Sequence, residues 1–240
     1  MMNHTYETLD VGVGGEGVAT LRLNRPQKRN ALSMQTLREI LAVLERWHED
    51  ENVRVVVVTG SPPVFCAGFD LSELSDPELI GDVRHVSTPY HRALWGFPKP
   101  VVAAINGHAL AGGLDLATLC DIRIAAESAT FGHPEVKFGA PPLFTPLRWL
   151  VGDGIARDMC LTGRRLDARE AERVGLVSRV VADEELAEES FDVARQIAEA
   201  PQACLETTKR YMTSNGGLGF QDSFTVEHDW VFDTQLRVSR

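Results

Sequence analysis

The chain has 240 residues, 44% hydrophobic and 24% charged, which suits one large folded domain, or one domain with a small appendage. A net charge of −10 excludes a broad nucleic-acid-binding surface, and no apolar run approaches the length of a membrane span, stretches such as Val55–Val58 being strand-sized. The four cysteines, Cys66, Cys120, Cys160 and Cys204, stand singly without metal-ligand spacing and read as free thiols, and the start Met1-Met2-Asn3-His4-Thr5 lacks the basic-then-apolar pattern of a secretory signal, so a cytoplasmic protein is expected.

Taken in chain order, Tyr6–Val11 and Val18–Leu23 read as two strands. The turn between them, Gly12-Val13-Gly14-Gly15-Glu16-Gly17, spells a dinucleotide fingerprint. That fingerprint needs a helix after its last glycine, whereas a β-rich alternation follows, so a hairpin is expected. Ser33 is placed to cap a helix running to about Glu49, with Leu37, Ile40, Leu41, Leu44 and Trp47 on one face. Val53–Thr59 is a β-branched run expected to be a strand buried on both faces. Pro77–Phe97 reads as helical up to Pro98-Lys99-Pro100; Val101–Ile105 and Ile122–Ala126 are further buried strands, and Leu114–Leu119 is a helix. Beyond Glu135 the pattern turns helical. Asp167 is expected to cap a helix with Glu170 reaching back to it, Val177–Val181 to form a late strand, and Glu184–Ala198, Gln202–Met212 and Phe220–Leu236 to form helices.

Two glycine-bearing segments stand out. Phe65-Cys66-Ala67-Gly68-Phe69-Asp70-Leu71 is the first; Asn106-Gly107-His108-Ala109-Leu110-Ala111-Gly112-Gly113-Leu114-Asp115 links an apolar strand to a helix. A strand that turns through small residues into a helix points unpaired N–H groups outward, backed by the positive end of the helix dipole. Such a terminus suits a developing oxyanion, and glycine lets a carbonyl come close. The plainer alternative is that Gly112 and Gly113 only let a helix pack against a strand. His108 and His133 read as packed or pocket-lining residues rather than catalytic ones.

With Asn24-Arg25-Pro26-Gln27-Lys28-Arg29-Asn30-Ala31-Leu32 and Phe131-Gly132-His133-Pro134-Glu135, these segments form four motifs in an order that resembles the crotonase, or enoyl-CoA hydratase/isomerase, superfamily. The resemblance runs from about Val18 to Val181 and is weaker beyond. It implies an α/β fold: a spiral core of ββα turns over residues 1–181, then a helical region over 182–240, shorter than usual, that in relatives packs into trimers. A homotrimer or a dimer of trimers is therefore expected. The resemblance also implies an acyl-CoA substrate whose thioester oxygen is received by the N–H groups of Phe69 and Gly112. Coenzyme A would be part of the substrate, with no separate cofactor and no metal.

Two carboxylates carry proton transfer in the hydratases of this family, and the matching residues are Asp115, three positions after the oxyanion glycine, and Glu135, which ends Phe-x-x-Pro-Glu. Binding of substrate and coenzyme would fall to Lys28, Arg29 and Ala31, to Ala67, Gly68, Phe69, Asp70 and Leu71, and to Gly112, with Asp70 acting to tie down its loop and Leu74–Leu94 lining the acyl group. Two departures bear on the reaction. Asp115 is one methylene shorter than the usual glutamate, and Gly139–Pro146 is proline-rich where relatives carry glycines that help to seat a water. Hydration of a 2-enoyl-CoA leads. The alternatives are double-bond isomerisation with Glu135 as base, hydrolysis of a CoA thioester or β-ketoacyl-CoA, and a non-catalytic acyl-CoA-binding homologue.

Overall fold

The computed structural model describes residues 6–214, 217 and 219–238. Strands β1 (Leu9–Val13) and β2 (Val18–Leu23) pair antiparallel across a one-turn 3-10 element, Gly15–Gly17, so the glycine-rich turn is a hairpin. β1 starts three residues later than Tyr6 and extends to Val13. The reason lies in helix α1 (Met34–Glu49), whose Glu39 carboxylate accepts the N–H groups of Glu7 and Thr8 at 2.8 and 2.9 Å and holds that stretch to the helix instead of the ladder. Ser33 caps α1 as expected, its Oγ accepting the Thr36 N–H at 3.2 Å. Leu37, Ile40, Leu44 and Trp47 are buried beneath it, and Leu41 is half-buried.

Next come β3 (Val55–Gly60), the short α2 (Leu71–Leu74), α3 (Ile80–Trp95), β4 (Val101–Ile105), β5 (His108–Leu110), α4 (Gly112–Leu119), β6 (Ile122–Ala126) and β7 (Thr130–Gly132). After a 3-10 turn at Pro134–Phe138 follow α5 (Phe144–Thr162), β8 (Arg165–Asp167), α6 (Ala168–Arg173), β9 (Arg179–Val181), α7 (Leu186–Ala198), α8 (Gln202–Ser214) and α9 (Phe220–Val238). Six strands form the main sheet in the order β1-β2-β3-β4-β6-β9, all parallel except the first pair. Burial on both faces explains why β3 opens with four valines. Val56 and Val58 face the core under α1, α3 and α4, while Val55 and Val57 meet Leu186, Val193 and Ala194 of α7 on the other face.

A second, three-stranded sheet, β5-β7-β8, stands beside the first. Its strands are three residues each, too short for alternation to show, so the sequence gives no sign of them. Asp167 caps α6 as expected, taking the Glu170 N–H at 2.7 Å. Glu170 does not reach back, because its carboxylate pairs with Arg164 at 3.0 Å.

Gly113 sits where α4 crosses the Cys66 segment. A Cβ there would overlap the Cys66 carbonyl, whose carbon would lie 2.8 Å away, while a Cβ at Gly81 of α3 would meet nothing within 4 Å. Gly113→Ala is therefore expected to destabilise the fold by about 3 kcal/mol or more, and Gly81→Ala to stabilise it by about 0.5 kcal/mol. Chemical denaturation of the two variants checks this; equal effects would mean that the α4 crossing is not tight.

Candidate active site

The site begins where the two glycine segments meet. Cys66 bridges Ala109 in parallel, its N–H donating to the His108 carbonyl at 2.9 Å and its carbonyl accepting the Leu110 N–H at 3.0 Å. Three residues on, a second bridge joins Phe69 to Leu32 through the Gly68 carbonyl (2.8 Å) and the Asp70 N–H (3.0 Å). In a parallel bridge the residue between those two groups presents its own N–H to the opposite side, and here that N–H belongs to Phe69.

On that side lies the start of α4. Ala111 holds φ 50° and ψ −127°, a conformation a side-chain-bearing residue adopts at a cost of roughly 1–3 kcal/mol, and the Gly132 carbonyl fixes its N–H at 2.9 Å. Through this one residue the chain reverses from β5 into the helix, whose first N–H groups have no partner within it. A Cβ on Gly112 would lie 3.5 Å from the Phe69 nitrogen and 2.7 Å from its ring Cδ2. The backbone of Gly112 thus sits against the Phe69 amide, and a side chain there would press on the Phe69 ring. Both expected donors are brought together.

One helical turn further, Asp115 is buried, its side chain 7% exposed. Burial, opposed by the pull of His133 and reinforced by the charge of Glu135, pushes its carboxyl up to about 7. Glu135, half-buried at the head of the 3-10 turn, places Oε1 at 2.8 Å from His133 Nδ1. Its Oε2 is buried without a hydrogen-bond partner. His133 is fully buried and its Nε2 lies 3.9 Å from Asp115 Oδ1. The two acids therefore flank one imidazole.

His133 is packed, as the sequence reading has it, and it also lies within 4 Å of both acids. The available signal was alternation: Phe131 and His133 are two apart at the end of β7, so a buried Phe131 turns His133 inward too. His108 is exposed and bonds Thr130 at 2.8 Å, away from the acids. The other ionisable groups near Asp115 are kept neutral by burial: the thiols of Cys160 and Cys66, pushed up to about 11 and about 12, and Tyr90, raised well above its ordinary value.

The proposed binding residues divide by place. Lys28 and Arg29 are exposed on a 3-10 turn, Pro26–Lys28, and Ala31 beside them is half-buried. The Arg29 carbonyl accepts the Ala67 N–H at 3.1 Å, which docks this turn on the Ala67-Gly68 stretch; Gly68 needs its φ of +101°. Asp70 ties its loop down as expected: it takes Arg25 at 3.0 Å and the Ser72 hydroxyl at 2.6 Å, which outweigh burial and hold it below the usual carboxylate range. Leu71 is exposed. A residue with no assigned role, Asn30, proves central, its amide donating to the Ser61 and Val64 carbonyls at 2.8 and 2.7 Å. Gly139–Pro146 runs exposed or half-buried from the 3-10 turn into α5. Two cavities, of about 490 and 240 Å³, lie elsewhere, beside His48 and Arg92 and beside Asn106 and Ser190. Among the described residues no group of three or more His, Cys, Asp or Glu side chains could hold a metal ion.

Comparison with known proteins follows the same outline. Residues 14–235 match the enoyl-CoA hydratase/isomerase family. A Rhizobium meliloti protein named probable enoyl-CoA hydratase is 41% identical over 205 residues, covering 81% of this chain and 76% of that one. The 2,3-dehydroadipyl-CoA hydratase of Escherichia coli is 33% identical over 213 residues, covering 88% and 84%. The crystal structure of an enoyl-CoA hydratase from Bacillus anthracis superposes with a TM-score of 0.92 at 32% identity, covering 96% of this chain and 92% of that one.

The raised Asp115 carboxyl has a consequence for stability. Its folded value, about 7, exceeds the ordinary 3.8, so the folded state holds this proton more tightly than the unfolded state does. Stability is then undiminished below about pH 4, falls as pH rises toward 7, and levels off above it. Asp115→Asn removes the dependence. Thermal melts should show the variant gaining on the wild type between pH 4 and pH 8 by on the order of a few kcal/mol; a gap independent of pH would mean that Asp115 is ionised in the fold at all these values.

Proposed function

The chain belongs to the enoyl-CoA hydratase/isomerase family, and on that footing we propose that it is an enzyme that adds water across the 2,3 double bond of a 2-enoyl-CoA thioester. The observation that carries this reading is the convergence of Asp115 and Glu135 on His133, one helical turn from the Phe69 and Gly112 N–H groups.

The chemistry follows from the placement. The thioester oxygen accepts both N–H groups, so when water oxygen bonds to the β-carbon the π electrons move to the α-carbon and the charge collects on that oxygen as an enolate. Losing one such donor costs about 3–4 kcal/mol. Collapse of the enolate takes a proton onto the α-carbon, while the attacking water gives one up. The carboxylate pair thus ends a turnover with the proton count it began with. A carboxyl poised near 7 beside a second acid suits that exchange. The free Glu135 Oε2 is the atom available to a water or to the α-carbon. Lys28 and Arg29 supply positive charge for the coenzyme phosphates, and the substrate brings the only coenzyme needed.

One observation favours a second reading, double-bond isomerisation with Glu135 as the single base. Pro141, Pro142 and Pro146 offer no N–H to hold a water beside the acids. The two readings part at Asp115. Under hydration, Asp115→Asn lowers turnover of crotonyl-CoA by at least about a hundredfold while isomerisation of a 3-enoyl-CoA is spared, and Glu135→Gln removes both. Hydration unaffected by Asp115→Asn would sink the two-acid mechanism. Circular dichroism confirms that each variant is folded.

We propose a homotrimer or a dimer of trimers. Its support is the helical end of the chain, where Met212 of α8 and the stacked Phe220 and Phe224 of α9 are exposed. Light scattering should give a mass three or six times the 26.4 kDa of one chain; a monomer at micromolar concentration would refute it.

A further inference from the structure

His133 is buried to the last atom, yet its ring is not fully partnered. One ring nitrogen, Nδ1, is engaged in the 2.8 Å hydrogen bond with Glu135 Oε1. Nε2 is then left without a hydrogen-bond partner, facing Asp115 Oδ1 at 3.9 Å. Leaving such a nitrogen unpaired is costly, a penalty that packing alone would avoid with an apolar side chain. Pro134 stiffens the one-residue link between His133 and Glu135, and β7 aims the ring inward.

We propose that His133 is a positioning residue that joins Asp115 and Glu135 into one coupled unit and sets how the proton they exchange is divided between them, an inference that rests on the reading of these two acids as the proton-handling pair. Nε2 is the ring atom that faces Asp115, and His133 acts to favour the ionised form of that carboxyl. Closing the gap takes a shift of about 1 Å. Because Nδ1 stays on Glu135, a change of charge at Asp115 is felt at Glu135 through a single ring. No other charge intervenes among the described groups around Asp115: Cys160 on α5, Cys66 on the neighbouring segment and Tyr90 on α3 are all held neutral by burial.

The test reads the Asp115 proton directly. Side-chain carboxyl carbons are labelled, the Asp115 resonance is identified by its loss in Asp115→Asn, and its titration is followed by NMR in the wild type, His133→Asn and His133→Leu. Asparagine keeps an N–H where Nδ1 stood but nothing toward Asp115; leucine removes both arms. The Asp115 midpoint is expected to rise by about one unit in either variant. In turnover of crotonyl-CoA, the acid limb of the kcat profile should move with it, with His133→Asn recovering rate that His133→Leu loses. If the leucine variant does not fold, the asparagine variant carries the comparison. An Asp115 midpoint unmoved in folded His133→Asn overturns the inference. A midpoint that moves in a protein that neither hydrates nor isomerises upholds the coupling and removes the proposed reaction instead.

Discussion

The contact on which the site depends is the crossing of the Cys66–Phe69 segment by the turn that opens α4. The Cys66–Ala109 bridge sets the register, and Gly113 lets the helix come down onto the Cys66 carbonyl. With the register fixed, Ala111 must reverse the chain within one residue, and the positive φ it adopts sets the first turn of the helix beside the Phe69 amide. The strain there and the absence of a Cβ at Gly113 share one origin: two backbone segments brought closer than side chains would allow. The small β5-β7-β8 sheet holds this crossing from the other side, since the Gly132 carbonyl grips the Ala111 N–H just before the chain delivers His133 and Glu135.

The same closeness explains the electrostatics. α4 is buried along its whole length, so a carboxylate in its first turn leaves water behind, and Asp115 answers by binding its proton more tightly. The N-terminal dipole of α4, which favours the charged form, acts against this and does not win. Asp115 therefore weakens the fold near neutrality, as does the unpaired Nε2 of His133, and both are concentrated at a single locus. Asp70 is the contrast. It is also little exposed, but it lies in a shallower setting where Arg25 and Ser72 satisfy its oxygens and it stays ionised, a brace for its loop. The two aspartates have opposite charge tendencies because Asp70 has donors that outweigh its burial, whereas the deeper burial of Asp115 outweighs the pull of an imidazole at 3.9 Å.

Around this locus the frame is stiff in ways single residues disclose. Asn30 sits in the left-handed region so that its amide reaches the carbonyls of Ser61, Val64 and Phe65, which locks the Lys28–Ala31 turn to the segment carrying Phe69. Lys209 of α8 reaches the Lys99 carbonyl and Asp121 at 2.8 and 2.7 Å, so the helical end of the chain is fastened to the loops that lead into β4 and β6. α7 covers the face of the main sheet opposite the site, so the sheet is buried on both sides.

What the sequence determined by itself is everything that short-range pattern encodes. The valine run of β3, the stripe and cap of α1, and the bounds of β4 and β6 are readable because periodicity and capping act within a few residues. The Gly-x-Asp, Gly-Gly-x-Asp and Phe-x-x-Pro-Glu motifs, through their resemblance to the crotonase family, marked Phe69, Gly112, Asp115 and Glu135 as candidates, because each motif sets a particular residue type at a fixed local offset. Only the tertiary structure decided the rest. The three-residue strands exist because partners distant in sequence pair with them, and β1 begins late because Glu39 takes its first donors. His133 became the link between the acids, and Asp115 the group near 7, because the β7 end is laid against buried α4. Charge and proton affinity depend on which atoms surround a group in space, and that environment is assembled from segments that the linear pattern cannot place side by side.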